Sequence, residues 1–494
     1  MTSAALSSQL FEAVGRHLLR QDGQEDLGFL LWQPSEGGTR VTAIATQLVE
    51  PLPGERSVHG NASFEPAYFE RSLSAALEAS AGLAFIHSHP QGRGWQGMSP
   101  DDERAEQKMA AAVLAATGQP LVGLTMAGDG ALAARWWERR GTRAYRRVEF
   151  DSVRVVGDRL RLSFNEASRP LPPANRSQAR SAAAWGPAVQ GSLAWLRVGV
   201  VGAGSVGSLV AEALARTGVS QIDLIDFDSV KEVNLDRLLH ATMRDVQLAR
   251  AKVEVLGSAL RRSSTAAKPS ITLHEWSVAE APGFRAALDC DVLFSCVDRP
   301  WARAVLNFIA YAHLIPVVDG GIRVRTHEGD SLRDADWRAH IAAPGRRCLE
   351  CLGQFDPGLV QAERDGYLDM PGYIEGLPLD HPLRLNENVF AFSLGAASLE
   401  LAQLIAMVAA PSGVSDLGAL HFHLASTELG RDVRSCEPTC PYSTSLLSTA
   451  SSSGLVVTGR HTAAEMERSA RARARSHWRV RAGRLRAAVA ARIA

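Results

Sequence analysis

Three glycines, Gly202-x-Gly204-x-x-Gly207, follow the apolar run Arg197–Val201 and open a helical stretch from Ser208 to Arg216. A strand turning this tightly into a helix needs glycine, both for the turn and to let a phosphate approach the backbone N–H groups at the helix N-terminus. A second strand, Ile222-Asp223-Leu224-Ile225-Asp226-Phe227-Asp228, ends in acids about 20 residues further on, where a ribose hydroxyl is met in a parallel α/β sheet. Together they predict a Rossmann-like α/β domain that binds a nucleotide, and on their own they leave a dehydrogenase open.

The residues that follow argue against hydride chemistry. Asn234-Leu235-Asp236-Arg237, Ala251-Lys252-Val253-Glu254 and Asp298-Arg299-Pro300-Trp301-Ala302-Arg303 supply cations and an acid that a nicotinamide site does not need. Arg237 and Lys252 can neutralise a triphosphate, and Asp298, at the end of a third strand, can hold magnesium. In this order the motifs resemble the ThiF/MoeB adenylating fold shared with ubiquitin-activating enzymes, over about residues 175 to 445. The resemblance implies that Gly202, Gly204, Gly207, Asp228, Asn234, Arg237, Lys252 and Asp298 bind ATP with Mg2+. It also implies that Arg180 reaches the phosphates in a partner protomer, so a homodimer is expected. Two positions depart from the pattern: Ser205 stands where glycine is usual, and Arg299 where asparagine is usual. Neither change removes a phosphate-binding group.

A second chemical centre lies upstream. His87 and His89 are two apart at the end of the apolar run Gly82–Ile86, so both imidazoles point to one face of a strand. Asp102, in the first turn of a helix begun by Ser99-Pro100, supplies a third ligand, and the set reads as a zinc site with one open position for water. A zinc hydrolase also needs a base, and Glu25 precedes another apolar strand. Glu25-x-x-Gly28-x-Leu30, His87-x-His89-Pro90 and Ser99-x-x-Asp102 resemble the JAB/MPN (JAMM) metalloproteases over roughly residues 5 to 150. By that resemblance Glu25 is the general base, His87, His89 and Asp102 hold catalytic zinc, and Ser99 helps stabilise the oxyanion. The stretch from His89 to Ser99 is about two residues longer than that pattern, with Gly92, Gly94 and Gly97 in it.

Of the six cysteines, Cys348-x-x-Cys351 and Cys436-x-x-x-Cys440 have the spacing of a tetrahedral thiolate site, predicting structural zinc. The start of the chain has no apolar signal segment, which favours a reducing, cytoplasmic setting over a disulfide framework. Cys290 and Cys296 fall in an apolar stretch read as a buried strand beneath the nucleotide, and residues 352 to 435 contain no cysteine. A thioester on this chain is therefore not expected: it adenylates only, transfers the adenylate directly, or relies on a thiol from another chain.

The expected organisation is a JAB/MPN α/β metalloprotease domain over 1–164, a linker over 165–178, a Rossmann-like ThiF/MoeB adenylating domain over 179–450 and a basic tail over 451–494. Lys plus Arg equals Asp plus Glu at 53 each, so no global charge points to nucleic acid. The apolar stretch Val389–Ala410 contains Ser393, Glu400 and Gln403 and reads as a core or dimer helix, not a membrane span. The tail arginines 468, 471, 473, 475, 479, 481, 484, 486 and 492 are interspersed with alanine and read as a solvated or disordered tail, or else as a contact for an acidic partner or nucleic acid. His421-Phe422-His423 lacks a downstream acid and reads as ordinary strand. The two centres together suggest zinc-dependent hydrolysis and ATP-dependent activation of one ubiquitin-like protein, resembling bacterial modification systems in which a separate conjugating enzyme follows and which can serve antiphage defence. The alternative is sulfur-carrier activation in cofactor or cysteine biosynthesis; a scaffold with degenerate sites would not need Glu25, Arg237, Lys252 and Asp298.

Overall fold

The apolar run before His87 lies inside a sheet, and the glycine turn leaves the end of another. The computed structural model describes residues 1–476 except 60, 142–143, 172–174, 328–330, 378–386 and 451–456. The first sheet is built from β1 (Thr2–Ser7), β2 (Leu27–Glu36), β3 (Val41–Val49), β6 (Gly82–His89), β7 (Val122–Ala127), β8 (Leu132–Arg139), β9 (Tyr145–Glu149), β10 (Ser152–Val156) and β11 (Leu160–Phe164). A separate hairpin comprises β4 (Arg56–His59) and β5 (Asn61–Phe64). The nine strands run in the order β11-β10-β1-β3-β2-β6-β7-β8-β9. Strand β6 is buried on both faces up to Ser88, which explains why its sequence is continuously apolar and not alternating. The helix Pro100–Thr117 is delimited by its own chemistry: Ser99 and Asp102 form a capping box, Pro100 occupies the first turn, and Gly118 closes it at φ 72°.

The second sheet contains β12 (Arg197–Val201), β13 (Gln221–Ile225), β14 (Ser270–His274), β15 (Val292–Ser295), β16 (Val317–Thr326), β17 (Leu332–Ala342), β18 (Ala419–His423) and β19 (Glu428–Asp432). Its order is β14-β13-β12-β15-β16-β17-β18-β19, parallel through β16 and antiparallel beyond. Strand order reverses beside β12, so the crevice at the carboxyl ends of β12 and β15 is where an open α/β sheet takes a ligand. The apolar helix Phe390–Ala409 packs against the helix Ser205–Thr217 and strands β16 and β17, with Glu400 and Gln403 fully buried.

The two sheets meet at the amino-terminal ends of the parallel strands, opposite that crevice. Arg40 pairs with Asp291 at 2.6 Å with both side chains buried. Asp289 accepts the N–H groups of Thr39 and Arg40 at 3.0 and 2.9 Å. Gly37 leaves room for this carboxylate, since a Cβ would lie 2.2 Å from Asp289 Oδ1 and displace it. Arg154 donates to the carbonyls of Leu314 and His313 at 2.9 and 3.1 Å. Ala5, Ile44, Val156 and Leu160 share one apolar core with Leu196, Val198, Leu404 and Met407. Removing one partner of a buried ion pair costs about 3–5 kcal/mol. Asp291→Ala should therefore lower the urea midpoint sharply, with fluorescence and circular dichroism reporting both halves unfolding together; two separated transitions in the unmodified protein would show that this interface does not couple them.

Two sequence expectations need correction. Residues 462–476 are helical and packed, not solvated: Ala464 and Arg471 are buried. The misleading feature was the arginine pattern, because those guanidiniums meet acids more than 180 residues away, Glu280 and Glu275 among them. The arginines at 479, 481, 484, 486 and 492 lie outside the described residues. Cys290 is buried, but it precedes β15 at the interface end and not beneath the crevice where a nucleotide was expected.

Candidate functional site

Strand β6 delivers His87 and His89 to one point. Their Nε2 atoms are 3.2 Å apart, and each lies 3.7 Å from Asp102 Oδ2. Bonds of about 2.05 Å to a tetrahedral ion place neighbouring ligand atoms roughly 3.3 Å apart, so the three atoms are already close to the edges of such a site. The helix cap orients the carboxylate: Asp102 Oδ2 accepts the Ser99 N–H at 3.0 Å, and Ser99 Oγ accepts the Asp102 N–H at 3.2 Å. Burial pushes the His87 imidazole down to about 3, leaving it neutral and able to donate a lone pair. Burial also works to raise Asp102, but His89, His87 and Ser99 outweigh it and hold the carboxyl well below the usual range. A hydrogen bond to Asp102 raises His89.

Glu25 stands just before β2, whose Leu27 pairs with His87. It is partly buried, and desolvation raises its carboxyl, with His89 and Asp102 close enough to act on it. Beneath the site is an element the sequence reading missed. Glu106 and Arg135 form an ion pair with both side chains within 1% of complete burial. Arg135 also donates to Thr125 at 2.7 Å, and Trp137 Nε1 to Glu106 at 2.8 Å. Thr125 is the register partner of His87, so this network fixes the helix carrying Asp102 against the strands beneath the histidines. Glu106 is one turn beyond Asp102, a spacing that could have signalled it.

In the second half, the glycines have distinct tasks. Gly202 has φ +93°, and a Cβ there would fall 2.3 Å from the Cys296 carbonyl. A Cβ on Gly207 would lie 1.8 Å from the Gly202 carbonyl, which locks helix to turn. Gly204 meets nothing within 4 Å, so its backbone is open to a ligand. Asp226 fastens the turn by accepting the N–H groups of Ala203 and Asp228, each at 2.7 Å. Burial lifts Asp226 to about 6. Lys252 Nζ lies 2.7 Å from Asp228 Oδ2; burial opposes its charge, but Asp226, Asp228 and Asp298 together raise it. Asp298 is exposed at the end of β15.

The glycines, Asp228, Lys252 and Asp298 thus converge. The other assigned residues are less engaged. Asn234 accepts the Lys231 N–H at 3.3 Å, and Arg237 turns onto the Val233 carbonyl and Asp236 at 2.8 and 2.9 Å. Arg180 is exposed on the first turn of the helix Ala179–Trp195.

The sulfur atoms of Cys348, Cys351, Cys436 and Cys440 lie within 4.8 Å of one another. Cys348 and Cys440 are 3.7 Å apart, close to the roughly 3.8 Å edge of a tetrahedral ion with bonds of about 2.3 Å to sulfur. The Cys351 N–H donates to Cys348 Sγ at 3.3 Å and the Cys348 N–H to Cys436 Sγ at 3.1 Å. Hydrogen bonding from Cys348 pulls the Cys436 thiol down to about 6. Its neighbours Cys348 and Cys351 are raised, and burial pushes the Cys290 and Cys296 thiols well up. The acid missing beside His421 and His423 comes from upstream: Asp336 on β17 lies 2.8 Å from His423 Nδ1, but Arg325 holds its other oxygen at 2.6 Å.

This fold and crevice define an open α/β domain of the doubly wound kind. Residues 176–412 match the ThiF family, and this part of the chain is a Rossmann-like domain of the ThiF/MoeB type. Among similar proteins, the tRNA threonylcarbamoyladenosine dehydratase of Escherichia coli (strain K12) is 56% identical over 54 residues, 11% of this chain and 20% of that protein. Ubiquitin-like modifier-activating enzyme 5 of Drosophila willistoni is 28% identical over 163 residues, 30% of this chain and 38% of that enzyme. Molybdopterin-synthase adenylyltransferase of E. coli (strain K12) is 33% identical over 127 residues, 25% of this chain and 48% of that enzyme. The chain therefore spans less than half the length of each of these relatives.

Proposed function

We propose that the second half is an ATP-dependent adenylyltransferase that activates the C-terminal carboxylate of a ubiquitin-like or sulfur-carrier protein. The observation that carries this reading is the convergence of the glycine turn, Asp228, Lys252 and Asp298 at the carboxyl ends of β12, β13 and β15. A terminal carboxylate oxygen attacks the α-phosphorus of ATP, the bond to the β-phosphate oxygen breaks, and pyrophosphate leaves with the released charge. Lys252 and the N–H groups of the helix Ser205–Thr217 stabilise phosphate charge. Asp298 would hold magnesium, which offsets that charge. Arg180, exposed on its helix, is assigned to the neighbouring site of a homodimer. The four cysteines are assigned to structural zinc.

The first half we assign to a JAB/MPN-type zinc hydrolase that cleaves peptide or isopeptide bonds next to such a terminus. His87, His89 and Asp102 would hold zinc, which supplies Lewis acidity when bound. Glu25 takes the proton from the attacking water and passes it to the leaving amine, and Ser99, beyond capping Asp102, faces the developing oxyanion. Together the two halves process and activate one protein, in a cytoplasmic bacterial system with a separate conjugating enzyme. The likeness to molybdopterin-synthase adenylyltransferase and the lack of cysteine across 352–435 favour, as a second reading, an adenylate consumed in sulfur transfer. Incubating the protein with zinc, Mg-ATP and candidate carriers bearing C-terminal extensions, followed by intact-mass analysis, tests both halves. Trimming plus an adenylate is the expected result; neither product with any carrier would refute the reading.

A further inference from the structure

The strands that follow β16 carry a cluster of side chains that neither proposed reaction uses. In the antiparallel pair β17 and β18, Asp336 stands opposite His423 and Arg338 opposite His421. Directly opposed residues share one face of a sheet. His421 and His423, two apart on one strand, share it as well, so Asp336 and both imidazoles rise from the same face. The other face is apolar: Trp337 stacks on Phe422 and on Phe392 of the helix Phe390–Ala409. That stacking pins the register, because a slip by one residue would exchange the two faces.

His423 Nδ1 lies 2.8 Å from Asp336 Oδ1, and the two imidazole centres are 4.0 Å apart. One ligand atom from each of the three residues falls within 4.8 Å of the other two. Around a tetrahedral ion with bonds of about 2.05 Å, neighbouring ligand atoms are roughly 3.3 Å apart, and the separations here bracket that edge. Arg325 does not fill the place. It holds Asp336 Oδ2 at 2.6 Å and Asp334 at 2.8 Å, which leaves Oδ1 to the histidines and offsets its own charge with a second acid. A ligating carboxylate is ordinarily fixed through its other oxygen in this way. Arg338 is engaged by Asp319 at 2.6 Å. Glu428, opposite His423 on β19, stands exposed and adds negative charge. The side chains of His421 and His423 are 44% and 41% exposed, so a fourth position would face solvent.

We propose that Asp336, His421 and His423 form a further metal site, for a divalent transition ion of the zinc class, which cross-links β17 to β18. Two imidazoles with one carboxylate suit zinc, whereas magnesium and calcium take oxygen ligands. The site lies on elements other than those carrying His87, His89 and Asp102 or the four cysteines, and it needs neither proposed reaction. Equilibrium dialysis of the full-length protein against buffered zinc, with metal counted per chain by mass spectrometry, tests it. The unmodified protein should bind one equivalent more than His421→Ala/His423→Ala, with a Kd of about 1 μM or tighter for that equivalent. Both proteins share the other centres, so the difference stands whatever those centres hold. Asp336→Asn keeps the side chain's shape and an acceptor for Arg325, which protects the strand pairing, and should weaken the extra equivalent by about tenfold or more. Equal zinc content in the unmodified and double-variant proteins would overturn the site, as would an extra equivalent that Asp336→Asn binds equally tightly. An extra equivalent taken up only at millimolar zinc would overturn it too, leaving an incidental pair of surface histidines.

Discussion

Glu25→Gln should lower hydrolysis of a C-terminally extended carrier by about 10²–10⁴-fold while leaving the metal content of the first half intact. The amide matches the carboxylate in size, and His87, His89 and Asp102 keep their 3.2 and 3.7 Å separations without it. What it cannot do is take a proton. Desolvation beside the histidines raises Glu25, the direction in which a carboxylate becomes a better general base. His89→Ala should differ in kind, losing metal and activity together. Zinc stoichiometry and hydrolysis measured on each variant separate the cases, and full hydrolysis by the Glu25 variant would remove that residue from the reaction.

Lys252→Ala should reduce carrier-dependent pyrophosphate exchange by about 10²–10³-fold, the scale seen when one preorganised group facing transition-state charge is removed. Two effects act together. The ammonium is lost from the phosphate path, and Asp226, Asp228 and Asp298, which now share it, are left to repel one another and the nucleotide. Lys252→Arg should recover part of the activity by restoring the charge. Hydrolysis by the first half should persist in both variants, because the crevice and the interface lie at opposite ends of the second sheet. Exchange in the alanine variant equal to that of the unmodified protein would place the phosphates elsewhere.

The elements legible in the sequence are those whose chemistry is local. A strand, three glycines and a helix follow one another directly, and the Gly202 and Gly207 contacts show why no other residue fits. The same holds for His87 with His89, for the Ser99–Asp102 cap, and for two cysteine pairs that each form within a short turn. What escaped the sequence was partnership across distance. Arg135 is 29 residues from Glu106, Asp336 is 87 from His423, and Arg471 is 244 from Phe227; nothing near any of them marks its partner. The alternating arginines and alanines around 468–475 resemble a solvated face until Glu254, Glu275 and Glu280 are brought beside them. Asp289 and Asp291, which no sequence motif marks, form the polar centre of the interface between the halves. Arg180 stands exposed on its helix, and Arg237 turns onto the Val233 carbonyl and Asp236.

Activation of a protein carboxylate with ATP in this crevice has its own signature reaction. Exchange of labelled pyrophosphate into ATP, with the full-length protein, magnesium and a panel of ubiquitin-like and sulfur-carrier proteins ending in glycine, tests it most directly. Exchange should appear with a carrier present, vanish when its terminal glycine is removed, and fall with Lys252→Ala and Asp298→Ala. Exchange independent of every carrier, or unchanged in both variants, would contradict it.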